Sequence, residues 1–110
     1  MKIVDMEFVK SHSRGHFFDP AAMRGFRSRL AELAYVTDDD KTAYFVTSEQ
    51  FVPSTGKPAP RTYSVRMMSL AIGDVSNASM YPYTKYATSR AADRAAREYA
   101  DARLVVQGES

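Results

Sequence analysis

The stretch TAYFVTS, Thr42–Ser48, decides the fold. It is rich in aromatic and β-branched residues, which favour a strand because they pack well on a pleated surface. Further along, RTYSVRM, Arg61–Met67, points Tyr63, Val65 and Met67 to one side and polar residues to the other, again with period two. We expect these two segments to be neighbouring strands of one sheet.

Turn signals separate these strands from further extended segments. FVPSTGKPAP, residues 51–60, holds three prolines and a glycine and predicts a surface loop. The acidic run DDDK, residues 38–41, predicts a hairpin turn after a strand through Tyr35 and Val36. A turn near Gly73 leads to a weaker strand over residues 74–78.

The two ends of the chain predict one more strand and two helices. Residues 2–9 alternate apolar and acidic side chains, as a half-buried strand does. Asp19 followed by Pro20 is a helix entry, and the apolar spacing continues this first helix to between Leu30 and Glu32. The second helix runs from about residue 90 to residue 103, capped by Thr88 or Ser89.

This order of elements predicts an α+β fold. The chain should form one small domain over residues 1–105, mainly an antiparallel sheet of four to five strands with two helices packed on one face. Residues 106–110 are expected to fray as a C-terminal tail. A length of 110 residues and a hydrophobic fraction of 45% suit a soluble globular protein.

The composition also removes several kinds of chemistry. The chain has no cysteine, which excludes disulfides, thiolate zinc sites and cysteine nucleophiles and suits a reducing cytoplasm. The amino-terminal MKIVDMEFVK has no unbroken apolar run, so we expect neither a signal peptide nor a membrane anchor. His12 and His16 lack the further ligands of a metal site. We therefore predict no catalytic residue, no metal, no cofactor and no enzymatic activity.

Charge is segregated along the chain although the formal net charge is only +2. Residues 10–29 carry a net +4, residues 57–73 carry +3, and residues 37–50 between them carry −3. Position therefore tells more than the sum about which surfaces could attract a charged partner.

Arginines are the candidate partner-binding residues. Arg24 and Arg27 have no acid three or four residues away on the predicted first helix, so they lack local ion pairs. They are either a solvated helix face or part of a binding surface, since arginine is enriched in binding hot spots. Arg29 belongs to the same basic cluster, and Arg61 and Arg66 would extend this surface if the fourth strand lies beside the helix.

The segment YPYTKY, residues 81–86, offers a second kind of site. Tyr81, Tyr83 and Tyr86 could stack on bases and Lys85 could contact a phosphate, as in proteins that bind single-stranded nucleic acid. Tyrosines also cover junctions between loops and helices, which is the structural alternative. The seven tyrosines of the whole chain, together with methionines that could be exposed, also leave room for a homo-oligomeric interface.

Four segments together resemble a group of small uncharacterised proteins of bacteriophages and mobile elements. They are HFFDPAAMRGFRSRL, YFVTSEQF, RTYSVRMM and YATSRAADRAA, in that order from His16. Gly25 stands where the resemblance leads us to expect an aromatic residue, and Ser54–Pro58 reads as an insertion. The resemblance implies an accessory role in the cytoplasm of a bacterial host. A host protein or protein complex is the expected partner, host defence included, and direct DNA or RNA binding is the alternative.

Overall fold

The fold is taken from a computed structural model that describes residues 1–24, 29–78 and 85–109, and the side chains of all of these except residues 24 and 102–109. The elements in chain order are β1 (Lys2–Asp5), α1 (Met6–His12), α2 (Pro20–Arg24), β2 (Arg29–Val36), β3 (Thr42–Glu49), β4 (Thr62–Ser69), β5 (Val75–Asn77) and α3 (Ser89–Glu109).

The five strands form one antiparallel sheet in the order β1-β2-β3-β4-β5. The central pair, β3 and β4, is in register over its whole length, from Thr42 opposite Ser69 to Glu49 opposite Thr62. The pairing of β2 with β3 shifts between Leu30 and Ala34. The predicted α+β class and antiparallel sheet are confirmed.

Alternating residues of the strands build two cores, one on each face of the sheet. On the face that we call the α1 face, Ala34, Phe45 and Met68 pack with Met6 and Val9 of α1. The opposite face, here the α3 face, packs against the small buried side chains of α3. Its strand residues are Tyr35, Tyr44, Val46 and Val65.

The helices therefore lie on opposite faces, and their predicted packing on one face is corrected. The segment before α2 belongs to the α1 face, because Phe17 and Phe18 contact Phe45 with ring centroids 6.1 and 5.8 Å apart. Helix α3 approaches the other face closely because Ala92, Ala96 and Ala100 recur at a spacing of four.

The structure also differs from the predicted elements at the amino terminus. The strand predicted for residues 2–9 ends at Asp5, whose side chain caps α1 by accepting a hydrogen bond from the Phe8 amide at 3.0 Å. Helix α1 buries Met6 and Val9, three residues apart, so helical spacing prevails over the apparent alternation.

The first predicted helix does begin at Pro20 but is short. Its expected end between Leu30 and Glu32 is wrong, because β2 already begins at Arg29 and pairs with β3. Helix α3 begins at Ser89, close to its predicted start, and continues to Glu109, beyond the expected end at residue 103 and through most of the predicted tail.

A glycine joins α1 to the turn between β4 and β5. Gly73 has φ +85°, and a Cβ there would lie 2.6 Å from the carbonyl oxygen of His12. Its own carbonyl accepts a hydrogen bond from the Arg14 amide at 3.1 Å. Only glycine suits this combination of positive φ and close backbone approach.

In the described ranges, no helix is long and apolar enough to cross a membrane.

Candidate functional site

Arg66 lies on the α1 face and is engaged by the chain's own side chains. Its guanidinium donates to Glu49 Oε1 at 3.0 Å and to Thr47 Oγ1 at 3.0 Å, and it lies 5.6 Å from the centroid of the Phe17 ring. The second carboxylate oxygen of Glu49 accepts from Ser64 at 3.3 Å. The side chains of Arg66 and Glu49 are only 21% and 18% exposed. This network holds the end of the β3–β4 pair together.

Arg29 and Arg61 meet on the α3 face around Ser48. Arg29 pairs with Ser48 across β2 and β3, so their side chains are neighbours on one face. Arg61 donates from Nη1 to Ser48 Oγ at 3.0 Å. Ser48 also pairs with Tyr63, which packs against the core beneath α3. Arg29 and Arg61 are thus both next to Ser48 at one end of the sheet, which we call the basic end (Arg29, Ser48 and Arg61).

The five predicted partner-binding arginines consequently do not form one surface. Arg61 and Arg66 are on opposite faces of the sheet, and the carboxylate of Glu49 is committed to Arg66. Arg24 ends α2, and its side chain is outside the described set, as is the whole of Arg27. Arg29 is exposed, and no carboxylate in the described ranges forms an ion pair with it.

The described part of the YPYTKY segment reaches the same end of the molecule. Tyr86 pairs with Tyr63 through backbone hydrogen bonds of 2.8 and 2.9 Å. Its side chain is half-buried against the α3 core, where burial raises its pKa, whereas Lys85 is exposed. Tyr81 and Tyr83 fall outside the described residues. The structural interpretation therefore suits Tyr86, and Lys85 adds a cation near the basic end.

Acidic side chains collect at the other end of the sheet. The predicted turn between β2 and β3 holds three aspartates, Asp38–Asp40. The amino group of Met1 lies 2.5 Å from Asp38 and 3.8 Å from Asp101, and Lys2 lies 2.5 Å from Asp40. Hydrogen bonding to Asp38 is the main reason that the pKa of this amino group is raised.

A polar cluster fixes α3 to the sheet between the two ends. Tyr35 donates from its hydroxyl to Asp93, Arg97 donates to Asp93 at 3.1 Å, and the Arg97 guanidinium lies 4.8 Å from the Tyr35 ring centroid. Burial, and then the bond to Asp93, raise the pKa of Tyr35, while the bonds to Tyr35 and Asp93 raise the pKa of Arg97. These side chains satisfy one another, so we assign them to stability.

The two histidines stay apart from any metal-binding set. His12 Nδ1 lies 2.8 Å from the carbonyl oxygen of Phe8, and His16 Nδ1 lies 2.9 Å from the Asp19 carboxylate. Within the described residues, no group of three or more histidine, aspartate or glutamate side chains could hold a metal ion.

Residues 2–97 match DUF7447, a family of unknown function. The chain belongs to this family. No curated protein and no solved structure matches it. The DUF7447 match spans the basic end, the Glu49–Arg66 pair and the start of α3, so both arginine environments belong to the matched region.

Residue patterns alone missed Ser48 and Glu49, which decide how the arginines are used. Both residues lie on β3: Ser48 is 13 residues from Arg61, and Glu49 is 17 residues from Arg66. Spacing along a helix detects only neighbours three or four residues apart. A signal did exist: residues 61 and 66 differ by an odd number, which places them on opposite faces of an extended segment.

Proposed function

We propose that this DUF7447 chain is a small accessory protein that binds an acidic surface of a host protein through its basic end. The observation that carries the proposal is that Arg29 and Arg61 both neighbour Ser48, Arg29 through the strand register and Arg61 through a hydrogen bond, on the face that also bears α3. Arginine suits such a contact because its planar fork of donors matches carboxylates in pairs.

The electric field at the start of α3 also favours the basic end as the binding surface. Its first turn contains no acid and carries an exposed arginine, Arg90, although the positive end of a helix dipole favours acids. Arg90 is therefore not explained by the stability of the helix. The helix starts three residues after Tyr86, which is paired with Tyr63 near Ser48. The dipole and Arg90 add positive potential to the basic end, opposite Asp38–Asp40.

A protein partner is favoured over nucleic acid. Base stacking needs accessible aromatic rings, and the one ring of YPYTKY within the described part of the chain, Tyr86, is half-buried in the α3 core. Direct DNA or RNA binding stays as the second candidate because Lys85 is exposed beside it and guanidinium groups also bind phosphates. The resemblance to bacteriophage and mobile-element proteins supports a role on a bacterial host factor, host defence included.

Affinity capture with charge-reversed variants tests the proposal. The tagged chain, its Arg29→Glu variant and a Lys41→Glu control are incubated with bacterial lysate at near-physiological salt. The two substitutions change the net charge equally, but Lys41 lies in the acidic turn at the other end of the sheet. We expect Arg29→Glu to lower the affinity for the captured protein by about tenfold or more, and Lys41→Glu to leave it unchanged.

Two further results decide between the candidates. Nuclease treatment of the lysate should leave the captured protein in place. If it removes all capture, and if binding of labelled DNA or RNA falls steeply with salt, the nucleic-acid candidate replaces the first. If wild type and both variants recover the same proteins in equal amounts, the basic end is not the binding surface and both candidates are rejected.

A further inference from the structure

The outer edge of the sheet at β1 carries an apolar pair, and no strand of the described residues pairs with the outer side of β1. β1 has β2 as its sheet neighbour on one side and is first in the strand order. Lys2, Ile3 and Asp5 are exposed, and Ile3 is 53% exposed. Leu33, on β2, is 44% exposed and lies diagonally across from Ile3 on the α3 face.

Ile3 and Leu33 are exposed because α3 does not extend over the β1 edge of the sheet. Helix α3 contacts mainly β3 and β4, and it contacts β2 less than either of them. Ile3 pairs with Tyr35, whose ring is covered by Arg97 of α3, so the covered zone stops one strand short of the edge. An edge strand with exposed apolar residues is a template for adding another strand, which soluble proteins usually prevent with charge or with covering elements.

We propose that β1 pairs with β1 of a second copy of this chain, giving a two-fold symmetric dimer with a continuous ten-stranded sheet. The two-fold axis passes between the two Ile3 residues. This interface is separate from the basic end and does not rest on the proposed binding function.

Symmetry restricts how two identical strands can pair, and β1 satisfies the restriction. In an antiparallel pair the two-fold axis must be perpendicular to the sheet, so a residue on the axis meets its own copy on the same face. With Ile3 on the axis, Ile3 meets Ile3, and the Leu33 side chain of each protomer flanks this contact on the α3 face.

Charge is also compatible with this register. Lys2 of one protomer then lies opposite Val4 of its partner, so the strand's one cation never faces its own copy. Lys2 keeps Asp40 as its ion-pair partner within its own protomer, at 2.5 Å. The two Lys2 side chains are diagonal neighbours on the α1 face, and each already has Asp40 of its own protomer as an ion-pair partner. An apolar residue thus meets its own copy on the axis while no like charges lie directly opposite each other, which is the reason to assign the edge to a second copy.

The geometry of the dimer follows from the axis. Both α3 helices lie on the same side of the joined sheet, and the two basic ends point in opposite directions because the strands are antiparallel.

A four-residue strand buries less surface than a standard interface of about 800 Å² per partner. We therefore expect a dimer with Kd above about 1 µM, visible only at raised concentration.

Sedimentation equilibrium of the full chain over a range of concentrations tests the dimer. Wild type should shift from monomer to dimer, and Ile3→Lys should raise the dimer Kd by about tenfold or more, because two introduced cations meet on the axis. Ile72→Lys is the matched control: Ile72 is 61% exposed and follows β4, near the opposite edge of the sheet. Its dimer Kd should equal that of wild type.

A charge-swap experiment separates self-pairing at Ile3 from any general loss of structure. Ile3→Lys and Ile3→Glu should each be monomeric alone, and a mixture of the two should form a heterodimer, because opposite charges now meet on the axis. A monomeric wild type at all concentrations overturns the proposal, and so does a dimer that Ile3→Lys leaves intact. Failure of the mixture to associate overturns the axis at Ile3.

Discussion

Arg66 should matter for folding and not for partner binding, which separates it from Arg29 although both are arginines in strands. The decisive perturbation is a double-mutant cycle with Glu49→Gln, Arg66→Met and the combination. Glutamine keeps the length of residue 49 and removes its charge, and methionine keeps an apolar stem beneath Phe17. Each single change leaves one member of the network without its charged partner.

The expected magnitude follows from the burial of the pair. Breaking a fully buried ion pair costs about 3–5 kcal/mol, whereas exposed pairs contribute about 0–1 kcal/mol. Arg66 and Glu49 are about one-fifth exposed and share further hydrogen bonds with Thr47 and Ser64. We expect each single variant to lose about 2 kcal/mol of unfolding free energy and the double variant about 3 kcal/mol, a coupling of about 1 kcal/mol.

Urea unfolding followed by circular dichroism measures these differences, since the chain has no tryptophan to report by fluorescence. The exposed Glu7–Lys10 pair, 3.7 Å apart in α1, is the matched control, and its cycle should show no measurable coupling. In the absence of urea, where all variants remain folded, Arg66→Met should capture the same partner as wild type. A Glu49–Arg66 coupling below about 0.3 kcal/mol would refute the structural assignment, and so would loss of capture by a folded Arg66→Met variant.

Two other predictions test the turn at Gly73 and the contact between α3 and the sheet. Gly73→Ala should lower the unfolding free energy by about 2–4 kcal/mol, because a Cβ at φ +85° would also meet His12 at 2.6 Å. Gly56→Ala, at φ +90° with nothing within 4 Å, should lose only about 1 kcal/mol, and equal losses in urea unfolding would contradict the close approach. Because the pKa of Tyr35 is raised above its ordinary value of 10, the stability it contributes is complete below pH 10 and is lost as pH rises through the folded-state pKa. Tyr35→Phe should therefore make thermal stability fall less steeply above pH 10, and an unchanged slope would argue against the buried hydroxyl.

Strands β3 and β4 were predictable because their signal is local. Period-two alternation and turn residues located β3, β4 and the turn at Asp38–Asp40 within a residue or two of their observed limits. Both faces of β3 are buried, so its composition carried more information than its alternation.

Helix α1 was missed because its few residues satisfy two periods at once. Val4, Met6 and Phe8 alternate like a strand, while Met6 and Val9 have helical spacing. The distinguishing signal was Asp5, a capping residue followed by a first turn that starts with Met6 and Glu7. The early end of the first predicted helix has a different cause, since pairing of β2 with β3 overrides the helical spacing of Leu30.

Whether an arginine is paired inside the fold depends on the face of the sheet on which it lies and on the residues of the neighbouring strand beside it. Five residues separate Arg61 from Arg66, so an extended chain must turn them to opposite faces, and a single patch containing both was excluded by the sequence itself. On β3, Glu49 is on the α1 face and pairs with Arg66, while Ser48 is on the α3 face and accepts a hydrogen bond from Arg61. Arg66 is thus paired with a carboxylate inside the fold, whereas exposed Arg29 forms no ion pair with a carboxylate of the described ranges. The proposed contact with an acidic surface therefore depends on Arg29 most directly, which is why Arg29→Glu is the variant that tests it.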